Sequence, residues 1–458
     1  MSFTPEEVTL EQMLAARERR AFRQRELLKS GKTLISFTMN IAGPQKVSPL
    51  IRRGFYEGCS LIEKTLSAEK IGIIAKEIQD AVTGCECLFL LDTGEAKRVK
   101  RCLAAVEDRD PLGRLFDIDV ISPESGHISR SELGFTERPC LVCSAPGRSC
   151  ASRRVHSVQE LQKKTNGILK NHFMKKDADT VAMYAVRALL YEVCTTPKPG
   201  LVDMNNTGSH SDMDMFTFVD SVAALAPYFR RCAEIGMETS SLAPGETFRM
   251  LRTEGRIAEG DMLRATGGVN THKGAIFSLG TVCGAAGRLV TDEGLCTDSA
   301  RIARMASEMV TDEVSEDFDR ISCGSTRTAG ETQFVKYGIR GCRGQVADGL
   351  PAVIGTGLPC LREAVSRGKT LNEAGAAALL HLIADVEDGC MISRGGVDKQ
   401  RQASEKIRSV IEENPFPDEE TIRGLDDEFI AERQSPGGCA DLLAISLMML
   451  FLEQHEEY

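Results

Sequence analysis

Gly113-Arg-Leu-Phe-Asp-Ile-Asp-Val120 alternates apolar and acidic side chains with a period of two. On a strand, Phe116, Ile118 and Val120 share one face while Asp117 and Asp119 share the other. The flanking sequence extends the pattern. Residues 33–41 form a β-like run that ends at Gly43-Pro44, 87–91 a buried strand, 94–106 a helix and 115–121 a further strand. Ahead of them, 14–29 is a basic helical stretch with Arg17, Arg19, Arg20, Arg23 and Arg25. Strands interleaved with helices predict a mixed α/β domain over residues 1–160.

The character then changes. A polar, Lys/Asn-rich stretch predicts a linker over 161–177, part of it open to helix formation. Beyond it Met183, Val186, Leu190 and Val193 recur at helical spacing, and Pro197 stops that helix near Thr196. Phe216, Val219, Ala223 and Ala226 repeat the spacing up to Pro227, and similar stretches cover 273–289, 372–386 and 441–452. Period-two runs are scarce here, so residues 178–458 are expected to form an all-α helical domain. A chain of 458 residues exceeds one ordinary core, in keeping with two domains.

Composition narrows the function classes. Hydrophobic residues at 42% and charged residues at 27% are ordinary for globular protein, and tryptophan is absent. The net charge of −10 argues against a general nucleic-acid binder but leaves local basic clusters free to hold phosphates. The first residues, 1–14, are acidic and lack a long apolar run, and the longest apolar stretch, 442–452, is broken by Ser446. Neither a secretory signal nor a membrane span is expected, and a cytoplasmic location is. The 16 cysteines therefore read as mostly reduced, buried thiols.

Two constellations in the first domain carry chemistry. Asp117 and Asp119 repel one another unless a cation lies between them, and Mg²⁺ favours such oxygen ligands while bridging to substrate phosphates. An exposed acidic strand edge fits the same spacing. Cys140-x2-Cys143, followed by Cys150 and His156, offers thiolate and imidazole ligands suited to tetrahedral Zn²⁺. Four ordinary reduced side chains fit it equally, since a second short pair is missing and Arg148, Arg153 and Arg154 would stabilise thiolates unaided.

Together with Leu34-Ile-Ser-Phe-Thr-Met-Asn-Ile-Ala-Gly-Pro44, Ile128-Ser-Arg-Ser-Glu-Leu-Gly134 and Cys140-Leu-Val-Cys143, the acidic segment resembles the apo-citrate lyase phosphoribosyl-dephospho-CoA transferase family over residues 10–160. The resemblance implies transfer of a phosphoribosyl-dephospho-CoA group to a serine of the citrate lyase acyl carrier subunit, with loss of pyrophosphate. Asp117 and Asp119 would then hold Mg²⁺, and Arg114 would contact phosphate. The basic cluster at 17–25 is either a carrier-binding patch or a solvated helix face.

In the second domain, Thr195-Thr-Pro-Lys-Pro-Gly-Leu-Val-Asp203 is a rigid turn that holds Lys198, followed by His210, Asp212 and Asp214. Asp212 and Asp214 suit a shared cation in an extended lead-in, and Asp214 also suits a helix cap. Gly267-Gly-Val-Asn-Thr-His-Lys-Gly274 precedes an apolar helix, where free N–H groups attract anions beside Asn270, His272 and Lys273. Further glycine-rich or basic patches contain Arg327, Arg343, Arg394 and Asp441. With Gly208-Ser-His-Ser-Asp-Met-Asp214, Ser393-Arg-Gly-Gly396 and Ser435-Pro-Gly-Gly-Cys-Ala-Asp441, these runs resemble the triphosphoribosyl-dephospho-CoA synthase family over 180–453. One departure is Asp388-Gly-Cys390, where family members often have Asp-Thr-Asn.

That resemblance implies an all-α fold and a reaction of ATP with 3′-dephospho-CoA that releases adenine. A ribose hydroxyl attacks the anomeric carbon of ATP, which requires a base, a donor to the leaving purine and a cationic cradle. Lys198, Lys273, Arg343 and Arg394 are the cradle candidates, and Asp203, Asp212 and Asp214 the candidates for base or Mg²⁺ ligand. The two reactions are successive, so the chain is expected to be a bifunctional transferase. The rivals are an equivalent pair serving malonate decarboxylase and a non-catalytic, zinc-dependent carrier-binding scaffold.

Overall fold

The alternation at residues 116–120 becomes strand β4 (Phe116–Ser122), one of the inner strands of a five-stranded antiparallel sheet. Its partners are β1 (Leu34–Met39), β2 (Ile73–Ala81), β3 (Gly84–Leu91) and β5 (Gly126–His127), in the order β2-β3-β1-β4-β5. Ile118 lies opposite Phe37 and Asp117 opposite Thr38, so the pleat sends Phe37, Phe116, Ile118 and Val120 to one apolar face. Helices α2 (Pro49–Ala68) and α3 (Ala96–Asp108) contribute to the same core. Phe37 stacks on Phe55 at 5.2 Å and meets Phe116 edge-on at 5.3 Å. All three rings are fully buried, each contributing about 1.5–3 kcal/mol over exposure.

The computed structural model describes residues 6–324 and 328–456. They divide into two compact units, one ending at Phe173 and one beginning at Met174. In the first, α1 (Leu10–Leu28) packs Leu27 and Leu28 onto Leu34, Leu88, Leu90 and Ile121 on the second face of the sheet. Arg23 and Arg20 reach Glu86 of β3 at 2.6 and 3.5 Å, so part of the basic stretch serves an internal contact. Period two places Asp117 and Asp119 on this second face as well.

Among the elements of this unit that escape the sequence reading, two are long. The edge strand β2 is largely exposed and carries no clean alternation. In α2, Gly54 and Gly58 interrupt the apolar stripe, and a Cβ at 58 would stand 2.3 Å from the Phe37 ring. The expected linker takes up the helical form the sequence left open: 161–177 is helical throughout, inside α5 (Val158–Cys194), which follows the short α4 (Gly147–Ser152). Its polar residues are good helix formers, and Leu169 and Phe173 pack into the core of the first unit.

The second unit is helical: α6 (Met215–Glu238), α7 (Pro244–Ala265), α8 (Lys273–Arg288), α9 (Ser299–Cys323), α10 (Ala329–Tyr337), α11 (Gly341–Ala347), a π-helical turn Val353–Gly357, α12 (Leu358–Ser366), α13 (Leu371–Asp385), α14 (Gly389–Gly395), α15 (Val397–Glu413), α16 (Glu419–Ala431) and α17 (Gly437–Glu453). Helices α8 and α17 are buried around most of their circumference, as centres of the bundle. Pro227 does not end α6, which continues to Glu238. Burial of Phe229, Cys232, Ala233 and Ile235 beyond the proline outweighs its missing N–H.

Helices α6 and α8 approach backbone to backbone. A Cβ at Gly236 would lie 2.1 Å from the Gly284 carbonyl, and one at Gly287 would lie 2.2 Å from that of Ala233. Gly236→Ala is therefore expected to cost about 1–3 kcal/mol through overpacking. Gly245→Ala in the first turn of α7, where a Cβ meets nothing within 4 Å, should leave stability unchanged or raised. Urea unfolding followed by circular dichroism measures both, and equal midpoints would contradict the close approach.

Candidate active sites

In the first unit a cavity of about 710 Å³ is lined by Arg114, Arg130, Arg138, Arg148 and Arg154. Buried Glu107 fixes part of this wall. It accepts from Arg130 at 2.9 Å, Arg138 at 3.3 Å and the backbone N–H of Ile118 at 3.3 Å, with Lys100 at 3.5 Å. Arg138 also donates to the carbonyls of Gly113 and Phe116, both at 2.8 Å. Arg114 donates to the Pro139 carbonyl. Arg148 and Arg154 are exposed and form no ion pair among the described residues.

A smaller cavity of about 190 Å³ is lined by Asp117, Arg17, Arg20, Lys46 and Glu86. Asn40 lines both cavities, so Asp117 adjoins the arginine-lined space. Asp117, like Asp119, keeps an exposed edge, yet partial withdrawal of its carboxyl from water, then the charges of Asp119 and Glu107, push it above its ordinary range, although Arg138 and Lys100 oppose this. Burial, then Arg17, lowers Lys46. Asp119 is half exposed, with His127 Nδ1 at 3.9 Å.

The thiols and the imidazole converge. Ligand atoms of Cys140, Cys143, Cys150 and His156 all lie within 4.8 Å of one another. The backbone N–H of Ala145, then His156 and Cys150, hold the Cys143 thiol down to about 6.

In the second unit the loops singled out by sequence meet, but most of their charged side chains are already engaged. Lys198 is buried and donates to Glu192 Oε1 at 2.5 Å and to the Glu192 carbonyl at 2.8 Å. Lys273 is exposed and pairs with Glu259 of α7. Arg343 lies 3.9 Å from Asp317. Arg394 donates to the Ser209 carbonyl at 2.9 Å and sits 3.2 Å from His210 Nδ1. Each of the four cradle candidates therefore has a local partner of its own. Arg327 falls outside the described residues.

The acids separate likewise. Asp203 is buried and accepts from the backbone N–H groups of Lys198, Asn205 and Asn206, which makes it an organiser of the turn. Asp214 caps α6 by accepting from Thr217 N at 2.9 Å. Exposed Asp212 lies 3.8 Å from His210, and neither it nor Asp214 is drawn into a shared buried site. Asn270 accepts from Lys273 N at 3.3 Å as a local turn contact.

Other contacts bind the loops together. Ser209 donates to the Gln434 carbonyl at 2.5 Å, and His210 Nε2 lies 2.9 Å from Ser435 Oγ. Burial, then Arg394, lowers the His210 pKa. Asp388 is buried at the start of α14 and accepts from Cys390 N, Met391 N and Cys439 N. His272 is buried, its Nδ1 2.7 Å from Ser221 Oγ and its Nε2 without a hydrogen-bond partner among the described residues. Burial, then Lys198, depresses it to about 3, so the ring is neutral.

Asp441, in the first turns of α17, lines a cavity of about 340 Å³ with Asp388, Asp385 and Ser278. Its Oδ2 would stand 2.0 Å from a Cβ at Gly274, so any side chain in the opening turn of α8 would displace the Asp441 carboxylate. Burial, then Glu192 and Asp388, push its carboxyl well above the ordinary range. Sequence reasoning missed Asn40, Glu107, Arg138, Glu192 and Asp388 as contributors. Asn40 and Asp388 lie within or beside the matched runs, whereas Glu107 and Glu192 sit in helices that carry no motif.

Known proteins match both units. Residues 8–172 match the family model of apo-citrate lyase phosphoribosyl-dephospho-CoA transferase, and 178–458 that of ATP:dephospho-CoA triphosphoribosyl transferase. The chain is 34% identical to the protein CitXG of Leuconostoc mesenteroides subsp. cremoris over 97% of each chain. It is 31% identical to the protein CitXG of Haemophilus influenzae over 97% of this chain and 96% of the other. Its second half is 39% identical to the 2-(5''-triphosphoribosyl)-3'-dephosphocoenzyme-A synthase of Klebsiella pneumoniae, over 59% of this chain and 89% of the other. Two units with separate charged cavities and these matches define a bifunctional transferase. The chain belongs to the CitXG family, in which the two transferases are fused. No described helix is long and apolar enough to cross a membrane.

A carboxyl raised above its unfolded value of about 3.8 binds its proton more tightly in the native state, so stability falls as pH climbs from there through the folded value. Asp441→Asn has no charge to bury. Its stability advantage over the parent should grow between about pH 5 and pH 8. Parallel thermal melts across that interval test this, and an advantage that does not change with pH would contradict the assignment.

Proposed function

We propose that the second unit joins ATP to 3′-dephospho-CoA and that the first attaches the product to a serine of the citrate lyase acyl carrier subunit. The pairing in one chain of matches to two families with successive chemistry carries this reading. In the first reaction a ribose hydroxyl of dephospho-CoA bonds to the anomeric carbon of ATP. The bond from that carbon to adenine breaks, and the triphosphate stays on the transferred ribose. Adenine must gain a proton and the hydroxyl must lose one. Asp441, its carboxyl raised well above the ordinary range in its cavity, is the group suited to carry such a proton.

In the second reaction the carrier serine bonds to the α-phosphorus and pyrophosphate leaves. The arginines of the larger cavity suit that chain of phosphates, since guanidinium groups offer planar paired donors. Asp117 and Asp119 are the residues to hold Mg²⁺, and the charge that Asp119 imposes on Asp117 supports the fit, because a divalent ion between them removes the repulsion. When bound, Mg²⁺ supplies charge neutralisation at the pyrophosphate oxygens. The chain's own groups orient the phosphates and keep the serine in line. Nucleotide and coenzyme A precursors as substrates support a cytoplasmic location, with no need for nucleic acid or membrane.

Incubation with ATP, Mg²⁺, dephospho-CoA and the apo-carrier, read by intact mass, tests the proposal. The carrier should gain one phosphoribosyl-dephospho-CoA group only in the complete mixture. Asp117→Ala and Asp119→Ala should each slow attachment by about 10²-fold or more, the usual cost of losing a charge-stabilising group, and leave adenine release intact. An unmodified carrier, or equal loss of both activities, would refute it.

A further inference from the structure

The segment from Glu137 to His156 forms most of one wall of the arginine-lined cavity, yet it has little regular structure. It contains one isolated bridge, Pro139 to Pro146, and the short α4. Cys150 is its one buried hydrophobic residue. Apolar packing alone does not fix such a segment, and small units of this kind rely on cross-links.

The geometry supplies a cross-link. Cys143 Sγ lies 3.4 Å from Cys150 Sγ and 3.2 Å from His156 Nε2. Ligands about 2.0–2.3 Å from one tetrahedral ion stand roughly 3.3–3.8 Å apart, close to these separations and compatible with a cluster contained within 4.8 Å. The turn that carries the first pair is built to present sulfur. Cys140 N donates to the Ala145 carbonyl at 2.6 Å, and Ser144 N donates to the Cys140 carbonyl at 3.3 Å. Ser144 takes a φ of 60° to close it, and the N–H of Val142 points at Cys140 Sγ from 3.4 Å. A disulfide does not account for the group: it would join two sulfurs and leave the third thiol and the imidazole gathered beside it without a purpose.

We infer that Cys140, Cys143, Cys150 and His156 bind one zinc ion, and that this ion holds the Arg138, Arg148 and Arg154 wall of the cavity in place. With four protein ligands the coordination is closed, so the ion is structural and takes no part in the chemistry. Binding displaces the thiol protons to solvent and leaves a net negative ligand set, which the neighbouring Arg148, Arg153 and Arg154 offset. The inference is independent of which carrier the enzyme modifies.

Elemental analysis of the full chain, purified from zinc-supplemented cells under reducing conditions, should find one zinc per chain. Cys143→Ser and Cys150→Ser should bring this close to none, and Cys102→Ser in α3 should leave it unchanged. Should the serine variants fail to fold, cobalt substitution in the unaltered chain still decides. Visible absorption bands of tetrahedral thiolate-bound cobalt, displaced by zinc, are expected. Zinc far below one per chain in the unaltered protein, zinc retained by both variants, or cobalt spectra typical of oxygen ligands would each overturn the inference.

Discussion

Buried carboxylates that find their partners within their own unit are the constraint on which both sites rest. Glu107 gathers Arg130, Arg138 and a strand N–H; Asp203 gathers three N–H groups of one turn; Asp388 joins the start of α14 to the start of α17. Asp426 does the same for the loop at Gly200, accepting from Gly200 N at 2.9 Å and Asn206 Nδ2 at 2.8 Å. An ionised group out of water is tolerable only when its oxygens are filled this way, and removing one partner costs several kcal/mol. These anchors are therefore rigid, and the loops they hold carry the groups left for chemistry.

The groups left over differ between the units. In the first they are exposed cations on a cavity wall, next to two carboxylates forced onto one face by the sheet register. In the second they are a neutral imidazole with a bare Nε2 and a carboxyl raised by its surroundings. The first arrangement suits the charge of phosphates, and the second suits proton movement between buried groups. Glycine at 274 leaves the carboxylate of Asp441 the space that a side chain there would take.

How much was legible in the sequence follows from the range of the interactions. The period-two run at 116–120 set the face of Asp117 and Asp119, and helical spacing located α8, α13 and α17 nearly to their ends. The Cys-x2-Cys spacing pointed to a cluster because its first two thiols are near neighbours in the chain. Local rules failed where burial overrode them, as at Pro227, and left helix and connector undecided at 161–177, where the polar residues are good helix formers. The partners of the cations were hidden for a related reason. Lys198 was expected to face phosphate, but Glu192, one helical turn before the loop, neutralises it. The grip of Glu107 on Arg130 and Arg138 spans 23 and 31 residues, which no periodicity reveals.

If each site is complete within its unit, a chain lacking one can be served by a chain lacking the other through the released intermediate. The decisive measurement mixes Asp117→Asn and Asp441→Asn chains in equal amounts with ATP, Mg²⁺, dephospho-CoA and apo-carrier. Neither variant alone should modify the carrier, and the mixture should. A mixture as inert as its components, with both variants folded, would contradict two self-sufficient sites.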